Sequence, residues 1–319
     1  LFIAFKDTGN PMKPFVDKPI IAGEFRHPRQ MLADQEYEGH VSVHDDEMAK
    51  DLGFSGAPIE GPTHFSQFVP LLYEVFGNAW FETGCISAHY QNMVVEGEEV
   101  RAFVRPGERI CDIWAEKRDG TPVLTGTASI GPDHPESELD RRRAKLRPAE
   151  KLVILADVEV GYTINEEDPV IMGFEQNMGD MYPFTLNNKL QCITEPCPWY
   201  EDSENSPWGR PIIPVEMISV LTYYTSRRNE MPVKGPSVGL FADQEIKLIK
   251  GPLFVNYPYR LKRECIALAE SRRVESNWVR TSVYDEDELM AECVLNSATM
   301  KASYARYEEE ALALGKKLD

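Results

Sequence analysis

Positive charge is scarce in this sequence. Against 52 Asp and Glu it sets 34 Lys and Arg, a formal net charge of −18. That balance excludes a nucleic-acid partner, whose phosphate backbone needs a basic surface. A small phosphorylated ligand stays open, because it needs only a local cluster of Arg or Lys. Long apolar runs are missing too. None approaches the roughly 18 residues that cross a bilayer, and "LFIAF" at residues 1–5 is too short for the apolar core of a signal peptide. Six cysteines in 319 residues are too few and too scattered for a disulfide scaffold. Cys192 and Cys197 lack a second pair or a nearby His, so they read as incidental thiols and not as a zinc site. The chain is expected to be cytoplasmic, with no membrane partner, no metal and no cofactor.

What is present is a repeat. "GFSGAPIEGPTHFSQFVPLLYE" at 53–74 is echoed by "SPWGRPIIPVEMISVLTYYT" at 206–225: Pro-Ile, a turn, then an apolar helix. Each copy precedes a block of strands, "ISAHYQNMVVEGEEVRAFV" in one case and "LFADQEIKLIKGPLFVNYPYRL" in the other. Upstream, "EGHVSVHDD" at 38–46 sits where the second copy has "MGDMYPFTL" at 178–186. Apolar spacing predicts a buried helix over 62–76, opened by Pro62 and stopped by Gly77. Residues 84–131 read as three or four antiparallel strands joined by Glu-Gly and Asp-Gly turns, and 238–307 as a longer version of the same series. The fold class is therefore α+β, two antiparallel sheets each wrapping a central helix. The expected division is an N-terminal half at 1–134, a charged linker at 135–151 and a C-terminal half at 152–319. Arg141, Arg142 and Arg143 in the linker read as a solvated charge run, with phosphate contact the lesser alternative.

These residues resemble the MaoC-like hydratase/dehydratase family in its double-hotdog form, over about 30 to 308. The most specific stretch is "HDDEMAKDLGFSGAPIEGPTHF" at 44–65. In that family a loop ending in His runs into a short helix, then Pro-Ile-x-His-Gly, then the buried hotdog helix. The resemblance implies addition or removal of water on enoyl and 3-hydroxyacyl thioesters of coenzyme A, with a loop Asp and His as base and acid. This chain departs from the pattern. Asp180 is kept in the second copy, but Phe184 and Thr185 stand in place of the His; the first copy keeps His44 but has Gly39 where the Asp belongs. A one-residue deletion lets Glu38 stand for the carboxylate, with His40 as another substitute. The resemblance thus implies His44, Glu38 and Asp180 as catalytic candidates.

Such chemistry also needs donors for the charge that develops on the carbonyl oxygen. Backbone N–H groups at a helix start provide them. By spacing from Pro58 and Pro211, Gly61 matches Pro214, which has no N–H to offer. The expectation is one site in the first half, with Gly61, Thr63, His64, Glu60 and His40 binding substrate. His64 reads equally as a satisfied core histidine, and Glu60 takes the family's His position. Trp199, Tyr200 and Trp208, in an insertion at 192–209, line an acyl pocket or pack over a sheet edge. The substrate is expected to be an acyl thioester of coenzyme A and the chain a homo-oligomer. The alternatives are a lyase or hydratase acting on a molecule that is not a thioester, and a non-catalytic hotdog binding module.

Overall fold

The computed structural model describes residues 19–33, 35–37, 40–41, 46–51, 56–147 and 149–317. The first half begins with β1 (Ile21–Ala22), the hairpin β2 (Glu36–Tyr37) and β3 (His40–Val41), and α1 (Asp46–Asp51). A 3-10 helix over Gly61–Phe68 then continues as α2 (Val69–Phe76). The single helix predicted for 62–76 is thus two coaxial pieces. Pro62 and Pro70 each lack an N–H, and Val69 donates to the Ser66 carbonyl three residues back, so the tighter winding persists to Phe68. Gly77 ends α2 at a φ of 58°, in left-handed backbone that a glycine adopts without strain. After α3 (Ala79–Thr83) come β4 (Gly84–Tyr90), β5 (Val100–Arg105), β6 (Cys111–Lys117) and β7 (Pro122–Ile130).

The second half follows α4 (Glu138–Arg143) and repeats the plan with longer strands. It comprises β8 (Thr163–Asn165), α5 (Leu186–Leu190), the central helix α6 (Val215–Tyr223), β9 (Gly239–Leu248), β10 (Arg260–Glu270), β11 (Val274–Asp285), β12 (Glu288–Met300) and α7 (Tyr307–Ala313). Alternation makes the sheet two-faced: Val100, Ala102, Val104, Cys111, Ile113 and Ala115 are buried against the first central helix. On the outer face Phe103 stacks on Trp114, with Arg101 over Phe103 and Arg105 over Trp114. Both central helices are buried nearly all round, Pro62–Phe68 in one and Val215–Thr222 in the other.

The sheets of the two halves join edge to edge into one. The strand order is β1-β5-β6-β7-β4-β9-β12-β11-β10-β8, and the halves join where β4 pairs antiparallel with β9, from Cys85 opposite Lys247 to His89 opposite Asp243. Each half would otherwise end in a row of unpaired backbone groups; here each edge satisfies the other. At this seam the buried Asp243 meets His89 at 2.8 Å, Arg142 at 2.6 Å and Asn296 at 2.6 Å. Burial raises its pKa, but His89, Asn296 and Arg142 outweigh burial and hold it below the usual value. The charged stretch between the halves is therefore partly structural. Ser137 and Asp140 form a capping box for α4, the Leu139 N–H donates to Ser87, and Arg141, Arg142 and Arg143 each pair with a carboxylate of this chain.

Glu275 on β11 is fully buried. It accepts the backbone N–H groups of Val153, Ile154 and Leu155 and the Tyr307 hydroxyl, fixing the entry to the second half and α7 in one stroke. Glu275→Ala leaves those donors without partners. It is expected to lower the unfolding free energy by about 4 kcal/mol, at roughly 1 kcal/mol for each lost bond, as read from urea denaturation.

Candidate active site

A cavity of about 640 Å³ is walled by both halves, within the range of small-molecule sites. Gly61, Pro62, Thr63 and His64 contribute from the first central helix, and Lys189, Glu216 and Arg263 from the second half. Tyr90, at the end of β4, covers Gly61. A Cβ built on Gly61 would lie 2.6 Å from the Tyr90 ring, so glycine is required here by the close approach of an aromatic face. The Tyr90 hydroxyl donates to Gln244 at 3.1 Å, and Gln244 donates to Ser219 of α6 at 2.7 Å. The ring is thereby held by the opposite half.

The register of the two helix starts differs from the spacing match by one residue. Pro58 bridges Val95 and Ile212 bridges Phe254; the Ile59 N–H donates to Val94, and the Ile213 N–H to Leu253. The residues just before the helices have the same backbone, Glu60 at φ −59°, ψ 131° and Pro214 at φ −54°, ψ 143°. Pro214 therefore matches Glu60, and Gly61 matches Val215. Both helix starts carry an N–H at the first helical residue, and proline does not remove one from the second. The halves differ in exposure instead: Gly61 borders the cavity and Val215 does not. They differ also one residue further on, where the first half has Pro62 and the second has Glu216.

Four polar side chains meet there. Lys189 of α5, only 3% exposed, places Nζ 3.3 Å from Thr63 Oγ1 and 3.6 Å from Glu216 Oε1. The Thr63 hydroxyl in turn faces Glu60 Oε2 at 3.4 Å. Burial alone would lower the Lys189 pKa, but the carboxylates of Glu216 and Glu60 outweigh it and keep the ammonium charged. Glu216 is 2% exposed, and burial pushes its pKa up to about 7 against the pull of Lys189. His64, equally buried, is held down to about 4 by burial and by Lys189 and Lys117, so its ring is neutral at physiological pH. No group of three or more His, Cys, Asp or Glu among the described residues is arranged to hold a metal ion.

Solved structures place this architecture. A Chloroflexus aurantiacus protein described as a MaoC domain dehydratase superposes with a TM-score of 0.58 over 93% of this chain and 99% of its own, at 13% identity. Rv0216 of Mycobacterium tuberculosis, described as a double hotdog, superposes with a TM-score of 0.52 over 87% of this chain and 96% of its own, at 12% identity. The chain is a double hotdog. No family model matches its sequence, and no curated protein matches it. No helix among the described residues is long and apolar enough to cross a membrane.

Within the double hotdog, the sequence-named residues fall in three groups. Glu60, Gly61, Thr63 and His64 lie together on the cavity wall. His64 makes a long contact of 3.5 Å with Gln67. Asp180 is exposed on a turn, one residue from the cavity-lining Met181, and α5 is capped by Thr185 and not by Asp180. His44 and Glu38 lie outside the described residues, and of His40 only the backbone is described, paired with Tyr37. The insertion lines no part of the cavity. Trp199 and Trp208 pack edge-to-face on each other and on Phe81, and the Trp208 ring nitrogen donates to Glu82. Lys189, Glu216 and Tyr90 were not singled out by sequence. A lone Glu opening the otherwise apolar run "VEMISVLTYY" was the available signal for Glu216.

Two outcomes follow from this geometry. Gly61→Ala is expected to lower stability by about 1–3 kcal/mol through overpacking against Tyr90, and a second change, Tyr90→Leu, to restore part of it in a denaturant titration. The second concerns pH. Folded His64 stays neutral down to about 4, whereas the unfolded ring takes a proton near 6.5, so its contribution to stability is lost as pH falls between those values. Glu216 acts oppositely: its folded pKa of about 7 exceeds the unfolded 4.5, so its destabilising effect is full above pH 7 and fades toward 4.5. Glu216→Gln is expected to raise the urea midpoint at pH 8 and to lose that advantage by pH 5.

Proposed function

We propose that the protein is a hydro-lyase that adds water to enoyl thioesters of coenzyme A, or removes it from 3-hydroxyacyl thioesters. The observation that supports this reading is the cavity, whose wall includes Gly61, Pro62 and Thr63 at the start of the first central helix, with the glycine backed by the Tyr90 ring. In this reading the thioester oxygen lies at the backbone of Gly61 to Thr63, and the helix start stabilises the charge that builds on it. His44, with Glu38 or Asp180, activates the water. Glu60 and His64, on the cavity wall, contact the substrate, and His40 is a further substrate-binding candidate. In this reading the reaction is redox-neutral and proceeds by proton transfer between side chains, water and substrate. The shared fold with a protein described as a MaoC domain dehydratase supports the reaction class. We further propose a cytoplasmic homo-oligomer.

The test is direct. Crotonyl-CoA and longer enoyl-CoA thioesters are supplied, and loss of the conjugated absorbance is followed; turnover is expected, with His44→Ala lowering kcat by about 100-fold. Binding of these thioesters without any turnover by the wild-type protein would overturn the proposal.

A further inference from the structure

Five carboxylates are buried among the described residues: Glu166, Glu216, Asp243, Glu245 and Glu275. Four have hydrogen-bond or ion-pair partners close by. Glu275 holds three N–H groups and a hydroxyl, Glu166 accepts from Arg263 and Thr225, Asp243 lies among His89, Arg142 and Asn296, and Glu245 sits 3.2 Å from Lys247. Glu216 is the exception. Neither of its oxygens has a hydrogen bond of good geometry, and Lys189 stands off at 3.6 Å. The same residue contributes to the cavity wall, with its two carboxylate oxygens buried. An ionised carboxylate placed so is strongly disfavoured unless something is brought to it.

Its surroundings fix the local proton count. Lys189 and Cys192 face it from α5 and the turn after it, Glu60 and Ser66 from the start of the first central helix and the helix itself, and Tyr200 from the insertion, while His64 faces Lys189. His64 is neutral and both thiol and phenol are pushed up by burial, which leaves one ammonium between two carboxylates. Burial, with Glu60 adding to it against the pull of Lys189, pushes the Glu216 carboxyl up to about 7, so its acid form persists to higher pH than that of an exposed glutamate.

We infer that Glu216 is the proton carrier of this site, giving its proton to the substrate α-carbon during hydration and taking it back during dehydration, with Lys189 as its positioning residue. The inference rests on the thioester hydro-lyase reading. In hydration, the water oxygen forms its bond to the β-carbon and gives its proton to the general base of the proposed reaction. The π electrons of the double bond shift toward the α-carbon and the carbonyl oxygen. The α-carbon then forms its bond to the proton of the Glu216 carboxyl, whose electrons stay behind as a carboxylate beside Lys189. Exchange with solvent returns the proton from the base to Glu216, and one water is consumed. The assignment brings the second half's central helix into a site whose carbonyl is held by the first.

The test is the pH dependence of hydration by the wild type, Glu216→Gln and Lys189→Met. Wild-type kcat is expected to fall on the alkaline side of about 7, as the acid form is lost. Glu216→Gln, which keeps the shape and is checked for a thermal melt no lower than that of the wild type, is expected to lose about 100-fold in kcat with little change in KM. Lys189→Met is expected to move the alkaline limb to higher pH, since a carboxyl without its ammonium ionises less readily. Glu216→Gln retaining kcat within about threefold, or Lys189→Met leaving the limb in place, overturns the assignment while the hydro-lyase reading stands. Should the wild type turn over no thioester, infrared difference spectra of the glutamate-labelled protein still decide the proton's place. A protonated-carboxyl band that titrates near 7 and vanishes in Glu216→Gln supports it, and the absence of that band overturns it.

Discussion

Backbone pairing between β4 and β9 is the constraint on which the remainder of the molecule depends. It converts two half-sheets into one of ten strands and brings the starts of the two central helices to a common cavity. It also decides details several residues away. Tyr90 ends β4 with its hydroxyl on Gln244 of β9, and its ring therefore lies over Gly61. The burial of Asp243 at the same seam requires His89, Arg142 and Asn296 from three separate elements. Register, charge and the shape of the helix mouth are in this way one coupled problem.

The buried polar groups divide by purpose. Glu275 and the Arg263–Glu166–Thr225 group are closed arrangements whose bonds end within the protein, and they hold segments together. The group formed by Lys189, Glu216, Thr63 and Glu60 is open: it borders a cavity, its contacts are long, and its charges do not cancel. Closed arrangements return their desolvation energy through hydrogen bonds, whereas an open one retains part of it as a bias toward accepting something from the cavity.

Most of the architecture was legible in the sequence, because a repeat of strand and helix periodicities survives wherever one face must be buried. Val100, Ala102 and Val104 alternate with Arg101, Phe103 and Arg105 whatever the surrounding loops do. Which strands join the two sheets, and in what register, was not legible, since edge pairing draws on backbone groups that every residue shares. The helix register slipped by one because Pro58 and Pro211 attract attention while Glu60 and Pro214, the true equivalents, share a backbone conformation and nothing in side-chain chemistry. Ala88 and Ala242, spaced like Gly61 and Val215, carried the correct offset. At the site, the first-half residues Glu60 to His64 were readable as a polar start to an apolar helix. Lys189 and Tyr90 were not, since each reaches the cavity from an element distant in sequence, and distance in three dimensions leaves no local pattern.

The covalent link between the halves has a consequence for how such a site varies. In a symmetric dimer each substitution appears on both sides of the axis, so an unsatisfied buried acid would burden the assembly twice. Here Glu216 stands where the first half has a proline, Lys189 has no twin bordering the cavity among the described residues of the first half, and the tryptophan insertion occurs once. Fusion lets one lobe specialise while its counterpart preserves the scaffold.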